Sequence, residues 1–422
     1  MLSNSFLKKT IELIQTKIKE KGLTFVILRG IKKLINLETL VIYPIVFILC
    51  LIIRLIKPFF FIRFGSLNAE KIGPFATRTE LILCEKENGM HPKKSFDIYH
   101  SGATTFVCNS QLLKMWKRLL YVNSGSRYFW KIMNMFSFGK DHIIKNSLKS
   151  RDHFGLIDKS PIHLSFTKEE NLEAKKDLLR MGIGEKDKYV LLLNRGEKYL
   201  KEVLPHMDLS HNSFRNCNIN DFLPAAEMIT SKGNVVIRVG HLVSDFLKTK
   251  NKKIIEYDSN GFRTELLDIY LSANCRYILN SDSGYADIAE HNFRKPMVNV
   301  NFTQLEYIHS WSSKALFTFR KYWLKSEKRF MSIKEIIQSG AGRFNNAKDY
   351  EKMSIEIINN TPLEIKDAAD EMEKRIDGTW QDNESDLDLQ KRFWSHFKLS
   401  DLHGIIRAKI STKFLRENHS LL

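Results

Sequence analysis

"RYILNSDSGYADIAEHNFRKPMVNVN", residues 276–301, sets an apolar stretch, a Ser-Asp-Ser-Gly turn, a helix-like run and a second apolar stretch in immediate succession. A strand, a helix and another strand in that order form the repeating unit of a parallel sheet covered by helices. In such a sheet ligands bind beyond the carboxyl ends of the strands. The small hydroxyls and the glycine of this turn fall at one of those ends.

The same alternation extends in both directions. "KYVLLLNRG" reads as a strand buried on both faces, because its apolar run is continuous rather than alternating. A helix over 219–231 stops at Gly233, then "NVVIRVG", "KIIEYDS", a helix over 264–272, "CRYILNS", a helix over 284–292 and "PMVNVN" follow. Five strands with right-handed crossovers predict a doubly wound sheet. Upstream, Phe59–Arg63 reads as a strand, Glu80–Cys84 as a second and "SFDIYHSG" as a third. "NSQLLKMWKRLLYV" reads as a helix capped by Asn109 or Ser110. A helix over 169–181 then leads out of this first unit.

The fold expected is α/β, with two Rossmann-like doubly wound domains and an N-terminal hydrophobic and amphipathic helical extension. The boundaries are 1–57 for a membrane-associating helical segment, 58–168 for the first domain, 169–320 for the second, and 321–422 for a helical segment and tail. Within the last part, Thr361, Pro362 and Glu364 spell a capping box that starts a helix at a fixed place. "TWQDNESDLDLQKRFW" reads as a solvated, charged connector.

With 66 Lys and Arg against 48 acidic residues, the net charge of +18 calls for an anionic partner. Five scattered cysteines, Cys50, Cys84, Cys108, Cys217 and Cys275, without a CxxC, read as reduced core thiols of a cytoplasmic protein. Apolar residues at Leu7, Ile11, Ile14 and Ile18 among lysines mark a basic amphipathic helix. The uncharged run Leu40–Ile53 that follows is shorter than the ~20 residues of a spanning helix, so in-plane or re-entrant attachment to an anionic leaflet is expected, with a single N-terminal span and a buried structural helix as the alternatives.

At the strand ends stand Asn194, Arg195 and Gly196; Arg238 and Gly240; Asp258 and Ser259; Ser281, Ser283 and Gly284. Arg195 and Arg238 supply forked donors that match phosphate oxygens. A helix starting at Ser283 or Gly284 would add unpaired N–H groups, and the bare Gly284 would let a phosphate approach the backbone. His211 and Arg215, in the loop "SHNSFRNCNINDF", are long enough in reach to join them. No strand ends in an Asp-x-Asp that would hold a metal under a diphosphate, and the triplet Asp386–Asp388 lies in the charged connector. GxxxxGK[ST], GxSxG and a strand-following GxGxxG are all missing from the sequence, which argues against a P-loop kinase, a hydrolase of the nucleophile-elbow kind and a dinucleotide oxidoreductase.

"IRFGSLNAEKIGPFATRTELILCE", "HNSFRNCNINDFLPAAEMITSKGNVVIRVG", "RTELLDIYLSANCRYILNSDSGYADIAEHNFRKPMVNVN" and "IEIINNTPLEIKDAADEMEKRIDG" together resemble a family of bacterial glycosyltransferases encoded with surface-polysaccharide genes. The resemblance runs from about Phe59 to Gly378, and more loosely the second sheet resembles the donor half of GT-B heptosyltransferases. It implies a GT-B-like enzyme that needs no cofactor and no metal, takes a nucleotide sugar in the second sheet and an acceptor in the first, and passes the sugar to a lipid-linked or lipid A-linked glycan. It implies work at the cytoplasmic face of the inner membrane, as a peripheral or singly anchored protein. Catalytic roles would fall to Arg195, Arg215, Arg238 and His211, and donor binding to Asn194, Gly240, Ser259, Ser281, Ser283 and Gly284. Where relatives carry an Asp after the arginine of "LNRG", this chain has Gly196. A general base would come from Glu70, Asp97 or His100, whereas Asp268, inside a helix, reads as structural. The rival readings are a pyruvyl or phosphoglycosyl transferase with a similar anion cleft, and a non-catalytic basic protein that binds membranes or nucleic acid. The arginines sit singly at strand ends rather than in a stripe with aromatics, which favours a small phosphorylated ligand over nucleic acid.

Overall fold

A computed structural model of the chain describes residues 41–102, 104, 106–145, 150–195, 210–241, 245–400 and 402–422. The basic amphipathic stretch near the N-terminus and Gly196 lie outside the described residues. The chain forms two compact units. One comprises the segment ending at Lys71 together with Asn88–Asn146, the other Ile72–Glu87 together with Ser147–Leu422. The division thus falls near residue 146 instead of 168, and one early helix belongs to the later unit.

In the first unit, α1 (Tyr43–Ile56) carries Pro44 in its first turn, where the missing N–H costs nothing. Its Val46 and Cys50 pack with Phe64, Ile132 and Met133. β1 (Phe61–Ser66) runs into α2 (Ile72–Glu87), which joins the second unit, and the chain returns as β2 (Ser95–His100), α3 (Ser110–Lys117), β3 (Tyr121–Val122) and α4 (Ser126–Met135). The strands form a parallel sheet in the order β1-β2-β3. Asn109 caps α3, its side chain accepting from the Leu112 N–H at 2.7 Å.

Glu80–Cys84, expected as a strand, is the interior of α2. This helix buries Phe75, Ala76, Thr79, Glu80, Leu81, Ile82 and Cys84, so it has no polar stripe to reveal its period. A short apolar run of that kind is indistinguishable from a strand by pattern alone.

Besides α2, the second unit contains α5 (Lys168–Arg180), started by a capping box of Thr167 and Glu170. Then come β4 (Tyr189–Leu193), α6 (Leu223–Ser231), β5 (Val235–Arg238), β6 (Ile254–Glu256), α7 (Glu265–Asn274), β7 (Ile278–Asn280), β8 (Met297–Phe302) and β9 (Ala315–Phe319). A small antiparallel sheet of β10 (Lys321–Leu324), β11 (Arg329–Phe330) and β12 (Ile355–Ile358) follows. α8 (Pro362–Ile376), α9 (Glu384–Ser395), β13 (Lys409–Ile410) and α10 (Thr412–Glu417) complete the chain.

The main sheet has seven strands in the order β13-β9-β8-β7-β4-β5-β6, all parallel to their neighbours. It extends the five expected strands by β9 and β13. Alternate residues of each strand point to opposite layers. Leu191, Leu193, Ile237 and Ile278 face α5 and α7, while Val190, Leu192, Val236 and Leu279 face α6 and α8.

The connector expected to be solvated is folded. Asn383 and Asp386 close a capping box at the start of α9, and Arg416 grips Asp386 with bonds of 2.7 and 2.6 Å. The Asp386 side chain is buried as a result, and Asp388 stays exposed.

Within this unit α2 is tied down by Glu80. Its carboxylate accepts from Arg294 at 2.6 Å and lies 2.8 Å from His163 Nδ1. Burial alone would depress the His163 imidazole, but Glu80 and Glu87 outweigh it and raise its pKa above the ordinary 6.5. A raised pKa stabilises the fold fully below 6.5, and that contribution is lost as pH climbs through the raised value. Between pH 6 and about 8.5 the wild-type unfolding midpoint should therefore fall more steeply than that of His163→Gln. Parallel curves for the two proteins would show that the pair does not act as an ion pair.

Candidate functional site

The strand order fixes where a ligand can enter. β5 and β6 lie to one side of β4, and β7, β8 and β9 to the other, so the order of the strands reverses between β4 and β7. At such a switch point the flanking loops part and leave a crevice beyond the carboxyl ends. Asn194 and Arg195 follow β4 there, and Ser281–Gly284 follow β7.

The turn after β7 is held from several sides. Ser281 donates its N–H to the Leu193 carbonyl at 3.0 Å, and its buried hydroxyl lies 3.0 Å from Cys217 Sγ. Asp282 adopts a left-handed φ of 46°, which Asp tolerates better than most residues. Its N–H donates to Asn299 Oδ1 at 2.9 Å. Arg215, at the end of the short turn Ser210–Arg215, clasps the Asp282 carboxylate with Nε and Nη2, each at 2.6 Å, and reaches the Asp282 carbonyl at 2.9 Å.

A further arginine braces the clasp. Arg320, wholly buried just past β9, donates to the carbonyls of Arg215 and Asn216, each at 3.0 Å, to Asn359 Oδ1 at 2.6 Å, and to the Thr303 hydroxyl. Arg195 joins the same cluster. Burial, then the charges of Arg215 and Arg320, push its pKa down to about 10, against the pull of Asp282. The electrostatic neighbours of Arg195 are thus two guanidiniums and one carboxylate. Like charges gathered in a half-buried place cost free energy, and an anion among them would repay it.

The bare Gly284 also makes a packing contact. A Cβ there would sit 2.9 Å from the Cα and 3.1 Å from the N of Gly73, in the first turn of α2. The two backbones touch, and the absent side chain serves that contact. The expected helix at Ser283 or Gly284 also starts later. Ala286 and Asp287 donate their N–H groups back to the carbonyls of Ser283 and Gly284 at 3.2 and 3.3 Å, a tight turn, before the π-helical stretch Ile288–Asn292. Among the described residues the N–H groups of Ser283 and Gly284 themselves make no hydrogen bond.

Arg238 ends β5 beside this cluster, with both terminal nitrogens engaged and Nε buried without a partner. It donates to Asn194 Oδ1 at 3.0 Å, to Glu256 Oε2 at 3.1 Å and to the Asp245 carbonyl. Through Asn194, whose amide donates to the Cys217 carbonyl at 3.2 Å, it links β5 to the end of β4. Gly240 follows with φ 140°. Ser259 is exposed in the turn beyond β6, the edge strand, and is not brought to the cluster. His211 belongs to the turn that delivers Arg215, and its side chain lies outside the described structure. Asp282, Asn299 and Arg320 are the residues that sequence reasoning passed over. Asp282 stood inside the quoted turn, and its position between two serines on a strand end was the available signal.

In the first unit, Asp97 is locked to Arg63 by two bonds of 2.8 Å in register across β1 and β2. His100, at the end of β2, hydrogen-bonds through Nδ1 with the Gly102 carbonyl at 2.9 Å, and burial lowers its pKa. Glu70 accepts from the Thr104 N–H at 3.0 Å and lies close enough to His100 to oppose that lowering. Glu70 and His100 thus meet at one end of this sheet, whereas Asp97 is an ion-pair partner inside it. Asp268, as expected, is structural: Arg263 binds it at 2.8 Å in the body of α7, and burial raises its pKa to about 7.

No family model and no curated protein matches the sequence. Among solved structures the chain is similar to ADP-heptose LPS heptosyltransferase II of E. coli, at 12% identity and a TM-score of 0.38, over 61% of this chain and 90% of that one. It is similar also to a glycosyl transferase family 9 protein of Veillonella parvula DSM 2008, at 10% identity and a TM-score of 0.45, over 74% of this chain and 97% of that one.

The Gly73–Gly284 contact generates a test. Gly73→Ala and Gly284→Ala should each destabilise the protein by about 1–3 kcal/mol, as expected for overpacking. Because both act on one contact, the double variant should lose clearly less than the sum. Additive losses in denaturant unfolding would mean that the two glycines do not share a contact.

Proposed function

We propose that the chain is a glycosyltransferase that binds the diphosphate of a nucleotide-activated sugar at the switch point of the seven-stranded sheet. The observation that supports this reading is the gathering of Arg195, Arg215 and Arg320 near the carboxylate of Asp282, in a turn where, among the described residues, the N–H groups of Ser283 and Gly284 make no hydrogen bond. Of these guanidiniums, Arg215 and Arg320 are already fixed by hydrogen bonds. Fixed donors stabilise charge on a departing phosphate without reorganising, which is the strongest form of electrostatic catalysis.

In this reading Arg195 and the N–H groups of Ser283 and Gly284 contact the diphosphate. Arg215 divides its guanidinium between Asp282 and the ligand, and Arg320 and Arg238 are positioning residues. Glu70 and His100 are the candidates for a base toward the acceptor hydroxyl. We take the acceptor to be a lipid-linked glycan in surface-polysaccharide synthesis, at the cytoplasmic leaflet. A panel of nucleotide sugars, pyruvyl donors and free nucleoside diphosphates tests the donor class. At least one nucleotide sugar should raise the melting temperature of the wild-type chain, and Arg195→Ala should cut that shift at least tenfold in apparent affinity while melting normally without ligand. Protection by none of the nucleotide sugars, or equal protection of the variant, would remove the diphosphate from this rim.

Attachment to an anionic membrane surface rests on α1. Two of its apolar residues enter the core, while Ile48 is 59% exposed, Leu55 76% and the following Phe59 93%. Among the described residues no helix is long and apolar enough to cross a membrane. The reading is therefore in-plane docking of this apolar face, with the basic N-terminal stretch adding attraction to anionic lipid. Leu55→Glu combined with Phe59→Glu should leave the fold intact and reduce co-sedimentation with phosphatidylglycerol vesicles several-fold. Undiminished sedimentation would sink this part of the reading.

A further inference from the structure

Behind the turn after β7, the second unit holds a buried group of side chains that the sugar-transfer reading does not use. Glu290 and His291 lie in the π-helical stretch Ile288–Asn292, and His309 comes from the loop after β8. The wider turn of a π-helix brings consecutive side chains closer to one side than an α-helix does, and such stretches gather at functional places. Here it lets Glu290 and His291 converge on the same point.

The geometry is wrong for hydrogen bonding. His291 Nε2 stands 3.4 Å from Glu290 Oε2, and His309 Nδ1 stands 3.7 Å from the same oxygen. Both Glu290 oxygens, His291 Nε2 and His309 Nδ1 are buried without a hydrogen-bond partner. Ser312 faces Glu290 without closing a bond of normal geometry. Glu290 and His291 are 4% and 1% exposed, so water does not solvate them from outside. Unpaired buried donors and acceptors of this kind cost about 1–3 kcal/mol each.

The next layer fixes which atom of His291 carries the proton. The Thr77 hydroxyl donates to Asp287 Oδ2 at 2.9 Å and lies 2.8 Å from His291 Nδ1. With its hydrogen given to the carboxylate, the hydroxyl accepts from Nδ1–H. Nε2 then bears a lone pair aimed at the Glu290 carboxylate. Two lone-pair groups facing each other repel unless a proton or a metal cation lies between them. A carboxylate–hydroxyl–imidazole chain that orients the imidazole is also the usual outer support of a metal ligand.

His309 is held just as firmly. Its ring stacks on Trp311 with centroids 4.7 Å apart, and the Arg151 guanidinium covers the same indole at 4.8 Å. Arg151 also donates to the carbonyls of Tyr307 and Ile308 at 3.0 and 2.5 Å, pinning the backbone that leads to His309. One carboxylate and two imidazole nitrogens, all within 4.8 Å of one another, are left as open ligands. Ligand distances of about 2.0–2.2 Å in a tetrahedron place neighbouring ligand atoms about 3.3–3.5 Å apart. A cavity of ≈10 Å³, about the space of one water, borders Glu290 and His291 among Trp311, Ser312 and the basic Arg294, Lys295 and Lys314, and His309 does not line it.

We propose that Glu290, His291 and His309 bind a divalent transition-metal ion of the zinc class. By bridging the π-helical stretch to the loop that carries His309, the ion would fasten the segment on which the Asp282 turn rests. The site does not depend on the sugar-transfer reading, and neither stands or falls with the other.

The test uses the full chain, stripped with a chelator and dialysed free of it. Titration with Co²⁺ should give visible absorption bands of a four-coordinate ion at about one equivalent, displaced by Zn²⁺, and Zn²⁺ should raise the melting temperature. Glu290→Gln, which keeps the size of the side chain, and His309→Ala, at the half-buried end of the cluster, should each weaken Co²⁺ binding at least tenfold. If Glu290→Gln fails to fold, His309→Ala decides the matter. A wild-type chain that shows no such bands would mean that Glu290 and His291 merely share a proton, and a His309→Ala chain that binds unchanged would mean that the ion sits elsewhere; either overturns the proposal.

Discussion

The clasp of Arg215 on Asp282 is the interaction on which the rest of the switch-point crevice depends. Asp282 holds a left-handed backbone that few residues adopt, and Asn299 and Arg215 fix it there from two neighbouring segments. Without the clasp, the turn after β7 would lose its shape and Arg195 would lose the support of the Asp282 carboxylate, which offsets its neighbours. Arg320 extends the same logic one layer deeper, since it spends four of its donors on the backbone and side chains that present Arg215. Buried guanidiniums are tolerable only when so fully bonded.

Charge is distributed unevenly between the two ends of this arrangement. Arg238 and Glu256 form a closed pair on the β5–β6 side, where the ends of the strands are knitted together by Asn194. On the β4–β7 side, among the described residues, Arg195, Arg215 and Arg320 all act on the carboxylate of Asp282. The first is a structural joint and the second an unfinished one, and that difference assigns them different work although both are arginines at strand ends.

Much of the second unit was legible because its strands are covered on both faces. β4, β7 and β8 bury every residue, so continuous apolar runs announced them, and turn residues marked their ends. The capping box of Thr361 and Glu364 was legible for the same local reason. α2 was not, because a helix buried nearly all round carries no stripe. β13 was not, because two residues cannot show a period, and only its pairing with β9 makes it a strand. Of the site, Arg195 and Arg215 could be named from their places at strand and loop ends. Arg320 could not, because its role follows from the fold of residues 303, 215 and 359 around it rather than from anything beside it in sequence. The reason for Gly284 was also invisible, since its partner Gly73 is distant in the chain.

The assignment of α2 to the second unit has an evolutionary and practical corollary. The unit that carries the switch point is discontinuous: it borrows a helix encoded between β1 and β2 of the other. A gene split anywhere after Glu87 would hand that helix, with Gly73, Thr77 and Glu80, to the wrong product. Neither half could then be exchanged between related chains, or made alone, without a gap being opened under the turn after β7.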